Sequence, residues 1–187
     1  MQRAVRGIIC IIAIFAASAA TAKPVDPLRQ KGETTVFAFR LKNSGKYLSV
    51  SQGKADGRDY LVCRFGKPSA VELEFPAKKE NSWDEFSYWW YLRGGGPQND
   101  GMDLNYLAFV NNDWEYVVYE EYAAVPDTYE VGVLLVRPSD CKYIDLLGVP
   151  DSVVGALMSF RDNENIVQEF NSWPGAQCDV LGMPLNR

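Results

Sequence analysis

From Thr35 onward the chain is a regular succession of short apolar runs cut by turn residues, and no helical period is sustained over 11 or more residues. The runs are Thr35 to Leu41, Lys46 to Val50, Tyr60 to Phe65, Val71 to Phe75, Phe86 to Leu92, Leu104 to Val110, Trp114 to Tyr122, Tyr129 to Val136, Tyr143 to Leu147 and Ala156 to Phe160. Asn43-Ser44-Gly45, Gly66-Lys67-Pro68, Asn111-Asn112-Asp113, Pro126-Asp127 and Pro138-Ser139-Asp140 are among the breakers between them. This spacing predicts an all-β domain: an antiparallel meander of at least eight strands, folded as a sandwich, barrel or propeller-like unit. With 47% hydrophobic residues in 187, there is apolar material for one packed core and little length for a second domain.

Alternation assigns faces within the runs. In Val71-Glu72-Leu73-Glu74-Phe75 the apolar side chains share one face and the glutamates the other. In Tyr60 to Phe65, Leu61, Cys63 and Phe65 share a face and Arg64 lies opposite, so Cys63 reads as a buried small hydrophobe. Cys141, in a turn, and Cys178, in a Pro- and Gly-bearing tail, are then the natural disulfide pair.

Met1 to Ala22 has the pattern of an export signal: Arg3 and Arg6, the apolar run Ile8 to Phe15, and the small-residue end Ala20-Thr21-Ala22. We read residues 1–22 as a signal peptide, 23–33 as an extended polar arm, and 34–187 as one β domain whose tail is tethered by the disulfide. The expected address is periplasmic or secreted. The apolar run is too short for a span of about 20 residues, so no membrane span is expected. Without Arg3 and Arg6, 17 of the 19 basic residues remain against 24 acidic ones, a net charge of −7. Such a field opposes nucleic acid and favours basic partners. There is no histidine, which excludes Ser-His-Asp and Cys-His mechanisms and the usual zinc sites.

The carboxylate pairs Glu72/Glu74, Asp84/Glu85 and Glu120/Glu121 could supply an acid and a base for glycoside hydrolysis, but the solvated faces of alternating strands carry such pairs by default. Asn99 to Asn105 clusters oxygen ligands without the EF-hand spacing, and reads as a tight turn. No cofactor, metal or catalytic residue is expected, and the chain is not read as an enzyme. The most distinctive stretch is Trp83 to Gly101. In Tyr88-Trp89-Trp90-Tyr91 both faces of a strand are aromatic, and a glycine-rich loop, mobile by composition, follows. The expected partner surface is therefore Trp89, Trp90, Arg93, Gly94, Gly95, Asn99, Asp100 and Asp103, with the outward-facing tryptophan as anchor.

The order of motifs, from Arg40-Leu41-Lys42-Asn43 and Gly45 to Val50 through Tyr60 to Gly66, Val71 to Pro76, Arg93 to Gly96 and Leu104 to Leu107, resembles a group of small, uncharacterised exported proteins of Gram-negative bacteria. The resemblance implies a periplasmic address and an all-β fold and carries over no catalytic residue. Lys46 to Val50 after Asn43-Ser44-Gly45 is also similar to one repeat of a β-trefoil lectin, without a second or third copy. Taken together, the residues lead us to expect a protein-binding protein of inhibitor or immunity type, occluding a basic cell-wall hydrolase or secreted toxin. The alternative is a glycan-binding module that stacks sugars on Trp89, Trp90 or Trp114.

Overall fold

A computed structural model describes residues 23–169 and Cys178; the expected signal peptide and the rest of the tail lie outside the described residues. The strands among them are β1 (Thr34–Arg40), β2 (Tyr47–Ala55), β3 (Arg58–Lys67), β4 (Ala70–Phe75), β5 (Ser87–Arg93), β6 (Met102–Asn111), β7 (Trp114–Ala123), β8 (Thr128–Arg137), β9 (Lys142–Leu147), β10 (Val154–Gly155) and β11 (Val167–Gln168). They form two sheets, ordered β10-β1-β2-β3-β4 and β11-β5-β6-β7-β8-β9, packed as a sandwich; neither closes into a barrel. All pairings are antiparallel except β11 with β5, which is parallel.

Strand ends follow turn chemistry more closely than hydrophobicity. Hydrophobicity alone ends β2 at Val50 and begins β3 at Tyr60, yet the two strands run on to pair Ala55 with Arg58 around Asp56-Gly57. Both turn residues have positive φ, 51° and 77°, the requirement of a two-residue hairpin turn whose twist matches its strands. The expected turn at Asn43 to Gly45 is present, closed by Leu41 N–H donating to the Lys46 carbonyl at 2.8 Å.

One expected strand is not a strand. Residues Leu157–Phe160 form a 3₁₀ turn in which Leu157 and Phe160 are both buried. A three-residue repeat puts those two on the same side, whereas a strand would send them to opposite faces.

The common core draws Phe37, Leu48, Val50, Leu61 and Cys63 from one sheet and Leu107, Phe109, Val118, Val131 and Val133 from the other. Cys63 is the buried free thiol that alternation predicted, and burial pushes its pKa up to about 12. Cys141 and Cys178 are bonded, with Cα atoms 5.3 Å apart.

Residues 23–33 are not an extended arm. They turn twice and dock on the outer face of β2 and β3. Asp26 accepts hydrogen bonds from Ser49 at 2.6 Å and Thr35 at 2.8 Å, and Glu33 pairs with Arg64 through two bonds of 2.7 and 2.8 Å. Arg64, the outward residue of its strand, is thereby completely buried.

Candidate interaction surface

The inward face of the six-stranded sheet changes character along its length. On β5, Tyr88 is buried, Trp90 partly buried and Leu92 exposed; on β7 the same series is Val118, Glu120 and Tyr122. On β6 and β8, Leu107 and Val131 are buried while Asp103 is half-buried and Tyr129 exposed. The face therefore runs out from beneath the smaller sheet and ends as an uncovered ledge. Register fixes its composition: Leu92 lies opposite Asp103, Asp103 opposite Tyr122, and Tyr122 opposite Tyr129, a row crossing four strands. Leu92, Tyr122 and Tyr129 are 54%, 40% and 38% exposed.

Behind that row a polar network holds the ledge. Glu120 accepts from the Tyr129 hydroxyl and from Leu157 N–H, each at 2.7 Å, which ties the tyrosine and the 3₁₀ turn to one carboxylate. Burial raises the Glu120 pKa, and Asp103 adds to the rise, against those two hydrogen bonds and Arg161. Arg161 donates to Asp103 and, at 2.9 Å, to Asn105, which also accepts from Tyr88 at 2.6 Å. The Arg161 guanidinium lies 4.8 Å over the Trp90 ring. These bonds engage both Glu120 oxygens and one of Asp103 in positioning their neighbours, so the exposed rings are presented on a fixed frame.

Two loops border the ledge. Gly94 to Gly101 is exposed except for Gly96 and Gly101, as expected of its composition, but it is not loose. Asn99 donates to the Gly94 carbonyl at 2.9 Å, Arg93 to that of Asp100 at 2.8 Å, and Gly101 N–H to that of Gly96 at 2.8 Å. Ala124 N–H joins this loop to the 124–127 loop through the Gly101 carbonyl. Asp127 there accepts from Tyr122 at 3.2 Å, and Val125 is exposed.

Of the residues expected to bind a partner, Arg93, Gly94, Gly95, Asn99, Asp100 and Asp103 thus lie on or beside the ledge, and Trp90 lies beneath Arg161 behind it. Trp89 is the correction. It does face away from the core, yet it is only 4% exposed, packed against Tyr106 with ring centroids 5.3 Å apart in a second apolar cluster with Leu104, Val117, Leu134 and Cys178. The side chains that the sequence reading missed are Tyr122, Tyr129 and Arg161. Counting residue pairs outward from the 124–127 loop would have placed the two tyrosines opposite each other.

The carboxylate pairs are pulled apart. Glu72 pairs with Lys46 and Glu74 with Arg64, while Glu120 and Glu121 lie on opposite faces of β7. Asp84 and Glu85 are exposed on a 3₁₀ turn. Among the described residues no three His, Cys, Asp or Glu side chains are grouped to hold a metal ion, and no helix is long and apolar enough to cross a membrane. Compared with known proteins, the chain matches no family model, no curated protein and no solved structure.

Proposed function

We propose that this is an extracytoplasmic protein-binding protein of inhibitor or immunity type, which uses the ledge and its two loops to occlude a basic cell-wall hydrolase or secreted toxin. The observation that carries the reading is the exposed row Leu92, Tyr122 and Tyr129, in which Asp127 and Glu120 hold the two tyrosine hydroxyls. Tyrosines are favoured interface anchors because they bring large apolar area and a hydrogen-bonding tip at little entropic cost, and a fixed frame lowers that cost further. The surroundings are acidic: with Arg161 and Asp103 paired to each other, Asp100, Glu120 and Asp127 remain against Arg93. The Cys141–Cys178 bond accords with an oxidising compartment. The glycan reading has less support, because Arg161 covers Trp90, Arg137 lies 5.1 Å over Trp114, and Trp89 is buried.

The test is retention of basic lysozyme-type hydrolases and secreted toxins by the disulfide-bonded chain, run beside retention on insoluble peptidoglycan. Tyr122→Ala or Tyr129→Ala should weaken protein binding by about 2 kcal/mol, roughly 30-fold. Asp127→Asn keeps an acceptor for Tyr122 and should mainly slow association and weaken its salt dependence. Protein binding indifferent to both tyrosines overturns the assignment of the ledge. Loss of peptidoglycan retention alone, by the same variants, transfers the surface to a glycan.

A further inference from the structure

At the opposite end of the sandwich the two sheets do not close on each other. A cavity of about 290 Å³ remains between them, walled by Leu48 and Cys63 from the smaller sheet and by Val133, Leu135 and Leu146 from the larger. Phe109 and Tyr116 line one side, their rings 4.9 Å apart with planes only 7° from parallel, and Phe75 stacks on Phe109 at 4.4 Å. The stacked rings, with Val133 and leucines from both sheets, hold this space open, although protein interiors ordinarily leave few voids larger than a water molecule. The opening follows from a defined irregularity. The register of β3 with β4 shifts between Phe65 and Gly66, and Gly66 has φ 143°, with the β4 backbone packed where a Cβ would stand. Glu72 is thereby carried to the cavity mouth, where it pairs with Lys46 at 2.7 Å.

Chemistry at the site selects the ligand. The lining is mainly apolar: Glu72, Asn111 and Tyr116 are its polar members, against Leu48, Phe65, Leu73, Phe109, Val133, Leu135 and Leu146, and a stable buried water needs about three polar partners within its own reach. Cys63, the sulfur in the lining, is kept as a neutral thiol by burial. At the mouth, Lys46 pairs with Glu72 and lies 5.2 Å over the Phe65 ring, so the two charges offset each other and the entrance offers no net charge to an ionic headgroup. The volume is near the lower bound of about 300 Å³ for small-molecule sites. We infer that this inter-sheet cavity is a binding site for a small, uncharged apolar molecule of about ten non-hydrogen atoms, aliphatic or aromatic, which enters past Glu72 and Asn111. The site is separate from the tyrosine ledge and independent of what the ledge binds.

The probe is 1-octanol, titrated into the disulfide-bonded chain while the methyl resonances of leucine and valine are followed by NMR. Saturable shifts concentrated on Leu48, Leu73, Val133, Leu135 and Leu146 are expected, with methyls of the outer cluster, such as Val117 and Leu134, unmoved. Leu135→Phe and Leu73→Phe fill the cavity from opposite sheets, so failure of one variant to fold leaves the other as the test. A folded filled variant should need at least about tenfold more octanol for the same shift. Tyr122→Ala, at the far end, should leave the titration unchanged. Non-saturating shifts spread over surface methyls, or undiminished binding in the filled variants, would overturn the inference.

Discussion

The outer faces of the two sheets meet the same requirement by opposite chemistry. Over β2 and β3 the covering segment is residues 23–33, and the contact is ionic: Arg64 lies between Glu33 and Glu74, each 2.7 Å away, with the Tyr60 hydroxyl donating to Glu33 at 2.8 Å. Over β5 to β8 the contact is aromatic and aliphatic, with Trp89, Tyr106, Tyr119, Val117 and Leu134 buried and Cys178 packed against them. A buried ion pair tolerates no missing partner, because the desolvated charge left behind has nowhere to go. An apolar cover tolerates small losses, each in proportion to the area uncovered.

The sharpest way to break this contrast is Glu33→Ala, which leaves a wholly buried guanidinium with Glu74 on its Nε and without the carboxylate that both its terminal nitrogens bond. A loss of about 3–5 kcal/mol is expected by urea denaturation. Replacing both partners, Glu33→Met with Arg64→Met, should recover most of that loss, since no uncompensated charge remains. A double variant as unstable as Glu33→Ala would mean that the ion pair itself, and not merely its completeness, supports the face.

On the apolar side the largest effect should come from the covalent tie. Cys141 and Cys178 are 37 residues apart, a closure for which chain entropy allows about 3–4 kcal/mol. Cys141→Ser with Cys178→Ser should lower stability by that order and raise the exposure of Trp89, read as a red shift of its fluorescence. A stability loss with unchanged emission would separate the bond from the cover.

Gly132 offers a finer probe of the same face. Tyr119 lies across it, and a Cβ added there would fall on the phenol ring, whose hydroxyl donates to Asp145 at 3.0 Å. Gly132→Ala should cost about 1–3 kcal/mol through this overlap. Adding Tyr119→Phe to that background should recover little, since the ring remains; Tyr119→Ala should relieve the clash while opening a cavity of its own. Double-mutant thermodynamics distinguishes the two.

How far such features were legible in sequence depends on range. Strands β1 to β9 were readable because a period of two is local, and Cys63 facing inward followed from its neighbours Leu61 and Phe65. Residues 157–160 were misread because five mostly apolar residues carry no period that separates a strand from one 3₁₀ turn. The docking of residues 23–33 was invisible: Glu33 looks like a solvated charge until Arg64, 31 positions away, is placed against it. The ledge was half legible. Gly94 to Gly96 marked an exposed loop, but Tyr122 and Tyr129 are exposed because one sheet outruns the other, a property of two sheets together. Trp89 shows the reverse case, an outward face that is nevertheless covered.

The smallest expected effect uses pH to set the two faces against each other. For Glu33, burial pushes the pKa up, but the hydrogen bonds from Arg64, Gln30 and Tyr60 outweigh it and leave the group below its ordinary 4.5. Its stabilisation is therefore present above pH 4.5 and lost as pH falls through the lower folded value. Glu121 and Asp145, on the other face, are shifted the opposite way. Burial and the nearby Glu130 raise both, against the hydrogen bonds from Tyr106 and Tyr119. The folded chain thus takes up those protons before the unfolded chain does, and stability should rise as pH falls from neutral through the raised values to the ordinary ones, 4.5 for Glu121 and 3.8 for Asp145. Glu121 also stands directly opposite Glu130 across β7 and β8, a like-charge pair worth up to about 1 kcal/mol against folding. Glu121→Gln keeps an acceptor for the Tyr106 hydroxyl and removes the charge. It should gain up to about 1 kcal/mol at pH 7 and flatten the rise in stability towards pH 5, leaving the acid loss from Glu33 in place. A Glu121→Gln variant with the wild-type slope between pH 7 and 5 would assign that slope to Asp145 and Glu120 instead.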